Sequence, residues 1–198
     1  MSFPLEDAEA AAQAVSALAG RLDDWRVLLN SAATFSLDTA GRLDPAVFER
    51  SMQVNAATPT RMAQAFLADA RSKGGRRVIA VTDQKLANPN PDFFSYTMSK
   101  HALAATVPML AMAAPDPRDR IYALAPGAIL ASHDQTEAEA EASHRLNLLE
   151  RRTDATEIAT AALFLAEGWL ASGETVIVDS GQHLLAQPRD VLFLAREH

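Results

Sequence analysis

No cysteine occurs among the 198 residues, which excludes disulfides, thiolate nucleophiles and cysteine metal ligands. The five histidines show neither HxxxH nor HExxH spacing, so the sequence gives no support to a metal site. Positive charge is in short supply: 18 Lys and Arg stand against 25 Asp and Glu, for a net charge of -7. The basic residues are scattered, which argues against a nucleic-acid surface. Only eight glycines are present, and none falls in a Gly-x-Gly-x-x-Gly or Gly-x-x-x-Gly-x-Gly run. No apolar run is long enough to span a bilayer; the longest, Ala102 to Ala114, has the length of a buried helix. The start, Met1 to Asp7, is acidic and lacks the basic and apolar regions of a signal peptide, so the expectation is a cytoplasmic protein without a membrane partner.

What remains is ordinary globular material, 48% hydrophobic and 22% charged, in one domain spanning 1–198. The patterns alternate. Helices are predicted over 6–20, 45–72, 94–113, 135–150 and 154–167, and short apolar strands over 25–30, 77–82, 120–124 and 175–179. Asp44 before Pro45 and Asp154 read as helix caps. Pro108 should kink its helix or end it early. The tail 187–198 carries Val191, Leu192, Phe193 and Leu194, which should dock on the body. Strands separated by helices require crossovers, so the fold class is α/β with a Rossmann-like parallel sheet and flanking helices.

The chemistry centres on Ser95-Tyr96-Thr97-Met98-Ser99-Lys100. Tyr96 and Lys100, four apart on a helix, share a face. An ammonium beside a phenol favours the phenolate and lowers its pKa from about 10, which makes Tyr96 a usable acid or base. The same spacing also fits a plain surface pair. Asn55 lies four residues before Pro59, which has no N–H, so the Asn55 carbonyl is left without its helical partner. That is either a simple kink or a site for a water or a lysine. Val27 to Ala33 ends in Asn30 and small residues including Ala32, which is either a small-residue turn after a core strand or a place where a flat ligand can approach the end of a parallel strand.

Together with Ile121 to Gly127 and Val176 to His183, these segments occur in the order seen in short-chain dehydrogenases and reductases. The chain resembles that family from about residue 5 to 185. Asp83 stands after the strand where most members have a serine, and Asn30 to Phe35 is similar to the Asn-x-Ala-x-x-aromatic run of pteridine and dihydromonapterin reductases. The resemblance implies an NADPH-dependent reductase of pterin or dihydropterin substrates. Tyr96, Lys100, Asp83 and Asn55 would form the catalytic machinery. Asn30, Ala32, Lys100, Pro126 and Gly127 would hold the cofactor, and Phe35, Tyr96 and Asp83 the substrate. On the residues alone, Asp83 also fits a loop cap, Thr82 offers an alternative hydroxyl, and Phe35 fits a core phenylalanine. The resemblance further implies a homo-oligomer, with Met62, Phe66, Met109 and Met112 serving either its interface or the monomer core. The acidic stretch 135–150 falls where the family has its substrate-covering loop.

The family's glycine-rich turn and its roughly two βα units, each on the order of 30 residues, have no counterpart in the sequence. Two expectations follow. Either the recorded start is an internal methionine of a longer protein, or a truncated chain covers its strand edge by oligomerising or with its own N-terminal helix. Two other functions compete with the leading one: a reductase of a carbonyl compound, and a non-catalytic fragment or binding module.

Overall fold

A computed structural model describes residues 4–132 and 135–196. The ends of the acidic start and of the tail thus lie outside the described residues. The elements are α1 (Ala8–Ala19), β1 (Val27–Asn30), α2 (Pro45–Met52), a π-helical turn (Gln53–Ala57), α3 (Thr58–Asp69), β2 (Arg77–Val81), α4 (Phe94–Ala113), β3 (Arg120–Pro126), α5 (Glu137–His144), α6 (Ala155–Glu167), β4 (Thr175–Val178) and α7 (Val191–Leu194). Each strand pairs in parallel with the next, giving a four-stranded sheet in the order β1-β2-β3-β4. β1 therefore forms one edge.

The strands are apolar on both sides because helices cover both faces. Val78, Ala80, Ile121 and Ala123 point to a core with Val15, Phe66, Leu103 and Val107 from α1, α3 and α4. Ile79, Tyr122 and Leu124 point the other way, to Leu165 of α6. Both predicted caps form: Asp44 accepts from the Ala46 and Val47 amides, and Asp154 closes a capping box with Glu157.

The structure corrects several expected boundaries. The predicted helix 45–72 is two α-helices separated by the π-helical turn, and it ends at Asp69, where Ala70 turns extended. The disruption expected from Pro59 appears as this extra residue in the turn, a usual form of such breaks. Pro108 does not end α4, which runs on to Ala113. Leu103 and Val107 anchor that helix on the sheet, and this packing outweighs the lost N–H. The acidic helix shortens to 137–144, because the Asn147 side chain caps the His144 and Arg151 carbonyls and turns the chain. Of the four residues read as core or interface, Phe66 is fully buried and Met62 packs against the core, whereas Met109 and Met112 are 54% and 82% exposed.

Candidate active site

The C-terminal ends of parallel strands are where an open α/β sheet collects ligands. Here those ends open into a cleft of about 600 Å³. Its lining includes Ser31, Ala33 and Phe35 after β1, Thr82 and Asp83 after β2, and Pro126 to Ala131 after β3. Tyr96 and Lys100 enter from α4, Ser143 and His144 from α5, and Val191 and Leu192 from α7. Gly127 sits tight against β4: its N–H donates to the Val178 carbonyl at 3.0 Å, and a Cβ there would meet Asp179 at 2.8 Å.

The start of α4 is fixed by a residue that sequence reading missed. Asp38, buried in the loop after β1, accepts from the Ser95 amide at 2.9 Å and from the Ser95 hydroxyl. This holds the N-terminus of α4 where Phe93, with φ of 52°, offers no cap of its own. The only sequence signal was an acidic residue in a loop facing a distant helix start.

Tyr96 then donates to Asp83 Oδ2 at 2.6 Å. The other oxygen, Oδ1, accepts from the Lys85 amide at 2.8 Å, so Asp83 is both the loop cap and the partner of Tyr96. Burial raises the Asp83 carboxyl, and the Tyr96 and Lys85 hydrogen bonds with the Lys100 charge oppose it. Tyr96 is pushed well above 10, first by burial and then by the Asp83 charge. This reverses the expectation that Lys100 lowers it. Lys100 donates to the Val81 carbonyl at 2.7 Å, and its ammonium lies 5.7 Å from the centre of the Tyr96 ring. Burial drops its own pKa to about 8, with Asp83 pulling the other way. The resting pair therefore keeps a proton between phenol and carboxylate. Thr82 donates to the Leu124 carbonyl at 3.3 Å.

Other expected residues fall elsewhere. Ala33 and Phe35 line the cleft, Asn30 and Ala32 line a separate hollow of about 160 Å³ beside Pro59 and Leu5, and Ser31 borders both. Asn30 donates to the Pro59 carbonyl there at 3.2 Å. Asn55, fully buried in the π-helical turn, uses its side chain as a clamp: Oδ1 accepts from the Thr34 amide at 2.7 Å, and Nδ2 donates to the Thr34 carbonyl and to Ser99. Phe35 lines the cleft with its ring stacked on Phe93 at 4.0 Å and edge-on to Tyr96 at 4.8 Å. The core packing allowed for Phe35 is thus present, in a side chain that also borders the cleft.

Lys85 was also missed. It is buried, donating to the Asp92 carbonyl at 2.8 Å and to Asp190 at 2.9 Å. Asp190 caps α7, and Arg189 pairs with Asp92 at 2.8 Å. These links seat the tail so that Val191 and Leu192 become a cleft wall, the docking expected from the tail's apolar run.

A sequence profile described as "Enoyl-(Acyl carrier protein) reductase" matches residues 3–183. Human "Dehydrogenase/reductase SDR family member 4" is 30% identical over 141 residues, covering 68% of this chain. The chain belongs to the short-chain dehydrogenase/reductase family. It is also similar to the 7alpha-hydroxysteroid dehydrogenase of Escherichia coli K12, 27% identical over 140 residues. The chain spans about half the length of these curated relatives, 51% and 54%. Among solved structures of the family, the FolM alternative dihydrofolate reductase 1 from Brucella suis, in complex with NADP, superposes with a TM-score of 0.85 at 30% identity. That match covers 94% of this chain and 74% of the other. Acetoin dehydrogenase YohF from Salmonella typhimurium reaches 0.80 at 25% identity, covering 96% and 76%.

Proposed function

We propose that the chain acts as an NADPH-dependent reductase on pterin or dihydropterin rings. The observation that carries this reading is the 2.6 Å hydrogen bond from Tyr96 to Asp83, with Phe35 edge-on to the same tyrosine. A carboxylate at this place can pass a proton on, whereas a serine only orients the substrate. Similarity to the Brucella dihydrofolate reductase supports the ring class.

The residues at the strand ends fit the reactive end of a nicotinamide. Ser31, Ala33 and Gly127 leave room for a flat ring, and the Lys100 ammonium has N–H donors beyond the one given to Val81. Lys100, Pro126 and Gly127 would hold that end inside the cleft, with Asn30 and Ala32 behind β1. The sequence has no glycine-rich turn to hold a pyrophosphate. When bound, the nicotinamide supplies the hydride. Tyr96 gives its proton to the substrate, and a proton taken up from solvent by the Asp83 carboxylate, which burial makes more basic, is passed on to restore the phenol. The Asn55 carbonyl, expected to hold a relay water, sits in the turn that clamps Thr34 to α4. Exposed Met109 and Met112 on α4 support a homo-oligomer.

The test is NADPH oxidation with 7,8-dihydrobiopterin against a panel of ketones. Turnover of the pterin supports the reading. Turnover of ketones alone would move the site to carbonyl reduction, and NADPH binding without any turnover would mark a binding module.

A further inference from the structure

Four aspartates are buried among the described residues: Asp38, Asp92, Asp119 and Asp179. Three have a basic side chain beside them, Arg189 for Asp92, Arg76 for Asp119 and His183 for Asp179. Asp38 has no such partner among the described residues. A buried carboxylate is costly unless charge or donors meet it. What meets Asp38 is the start of α4. Its Oδ1 accepts from the Ser95 amide at 2.9 Å, and its Oδ2 accepts from the Ser95 hydroxyl and, at 3.4 Å, from the Asp44 amide. The Asp38 carbonyl accepts from the Phe94 amide at 3.4 Å. The carboxylate thus supplies, from 57 residues away, the cap that Phe93 lacks, at the positive end of the helix dipole.

Ser95 is the second residue of α4 and Tyr96 the third. Holding Ser95 by both backbone and side chain sets the height and the rotation of the first turn. The place where the Tyr96 hydroxyl meets Asp83, at 2.6 Å, follows from that setting. Asp38 is not among the residues lining the cleft; it borders a different hollow, with Arg42 and Pro45 at the start of α2. We propose that Asp38 is a positioning residue for Tyr96: it aims the phenol at Asp83 for proton transfer without itself meeting substrate or cofactor. Asp38→Ala strips both bonds from Ser95. Asp38→Asn keeps an oxygen for the Ser95 amide and offers an N–H to the Ser95 hydroxyl, which accepts as readily as it donates.

This inference rests on the reductase reading. The experiment is NADPH oxidation with 7,8-dihydrobiopterin by wild type, Asp38→Ala and Asp38→Asn, together with the 13Cζ NMR shifts of the two tyrosines, Tyr96 and Tyr122, assigned with Tyr96→Phe. Since a misplacement of about 1 Å costs on the order of 10²-fold, a loosened first turn should lower kcat by roughly tenfold or more, with KM within about twofold and Asp38→Asn back to within about threefold of wild type. The Tyr96 signal should shift in Asp38→Ala while that of Tyr122, in the core, stays. The inference is overturned if folded Asp38→Ala keeps the wild-type kcat, if Asp38→Asn is as slow as Asp38→Ala, or if the Tyr96 signal does not move. It is equally overturned if both tyrosine signals shift together, the mark of general loosening. Should Asp38→Ala fail to fold, Ser95→Ala, which removes the hydroxyl bond alone, takes its place and the Tyr96 shift decides. Wild type that turns over no dihydrobiopterin refutes the reductase reading on that substrate, a separate outcome, because the Tyr96 signal is read without turnover.

Discussion

Replacing Asp119 should destabilise the fold more than any exposed ion pair in the molecule. Its carboxylate is completely buried and pairs with Arg76 through two bonds, 2.6 Å to one guanidinium nitrogen and 3.1 Å to Nε. It also accepts from the Arg76 amide at 2.7 Å. Arg76 in turn ties the end of α3 by donating to the Leu67 and Ala70 carbonyls. Asp119→Ala would therefore leave a largely buried guanidinium without its counter-charge and one amide without an acceptor. Breaking such a pair from one side costs about 3–5 kcal/mol, a large part of the roughly 5–15 kcal/mol a domain has. At this size the melting temperature should fall by on the order of 10 °C. Urea unfolding followed by circular dichroism is the assay, with an unchanged m-value as the check on two-state behaviour. Arg76→Met combined with Asp119→Leu should recover most of the loss, because no charge is then stranded. A cost below about 1 kcal/mol for Asp119→Ala, as for a solvated pair, would refute the reasoning.

Three further outcomes are expected. Gly168 ends α6 with φ of 81°, a conformation that strains any side chain, and a Cβ there would also press on the Arg77 guanidinium, so Gly168→Ala should cost about 1 kcal/mol or more in the same unfolding assay. Lys85→Met removes the link to Asp190 and should speed hydrogen exchange over 187–196 while the sheet amides stay protected. Lys100, at about 8 in the folded protein against 10.5 when free, is charged in both states at low pH and there opposes folding by its burial. Between about pH 8 and 10.5 the folded protein holds fewer protons than the unfolded one, so stability should rise with pH by at most about 3 kcal/mol, a rise that Lys100→Met should lack.

The fold was largely legible because its signals are local and strong. Four short apolar runs alternate with helical patterns, and Asp44 and Asp154 cap where their positions indicate. Boundaries slipped where tertiary contacts decide them, as at Pro108, whose helix is held by Leu103 and Val107, and at Asn147, whose side chain ends α5. In the site, the pairing of Tyr96 with Lys100 on one face of α4 followed from spacing, but the direction of the Tyr96 shift did not. It comes first from burial of the phenol and then from the Asp83 carboxylate beside it, neither of which spacing contains. Asn30 and Ala32 line a hollow separate from the cleft that Ala33 borders, a division set by the path of the chain beyond β1 and not by spacing. Asp38 and Lys85 were invisible because each acts on an element far away in the chain.

The proton-donating pair is tested most directly by NADPH oxidation at saturating dihydrobiopterin in wild type, Tyr96→Phe and Asp83→Asn. The account predicts that kcat falls by about 10²–10⁴ in Tyr96→Phe and by at least tenfold in Asp83→Asn, with KM nearly unchanged in both. A Tyr96→Phe protein that turns over at the wild-type rate would contradict it.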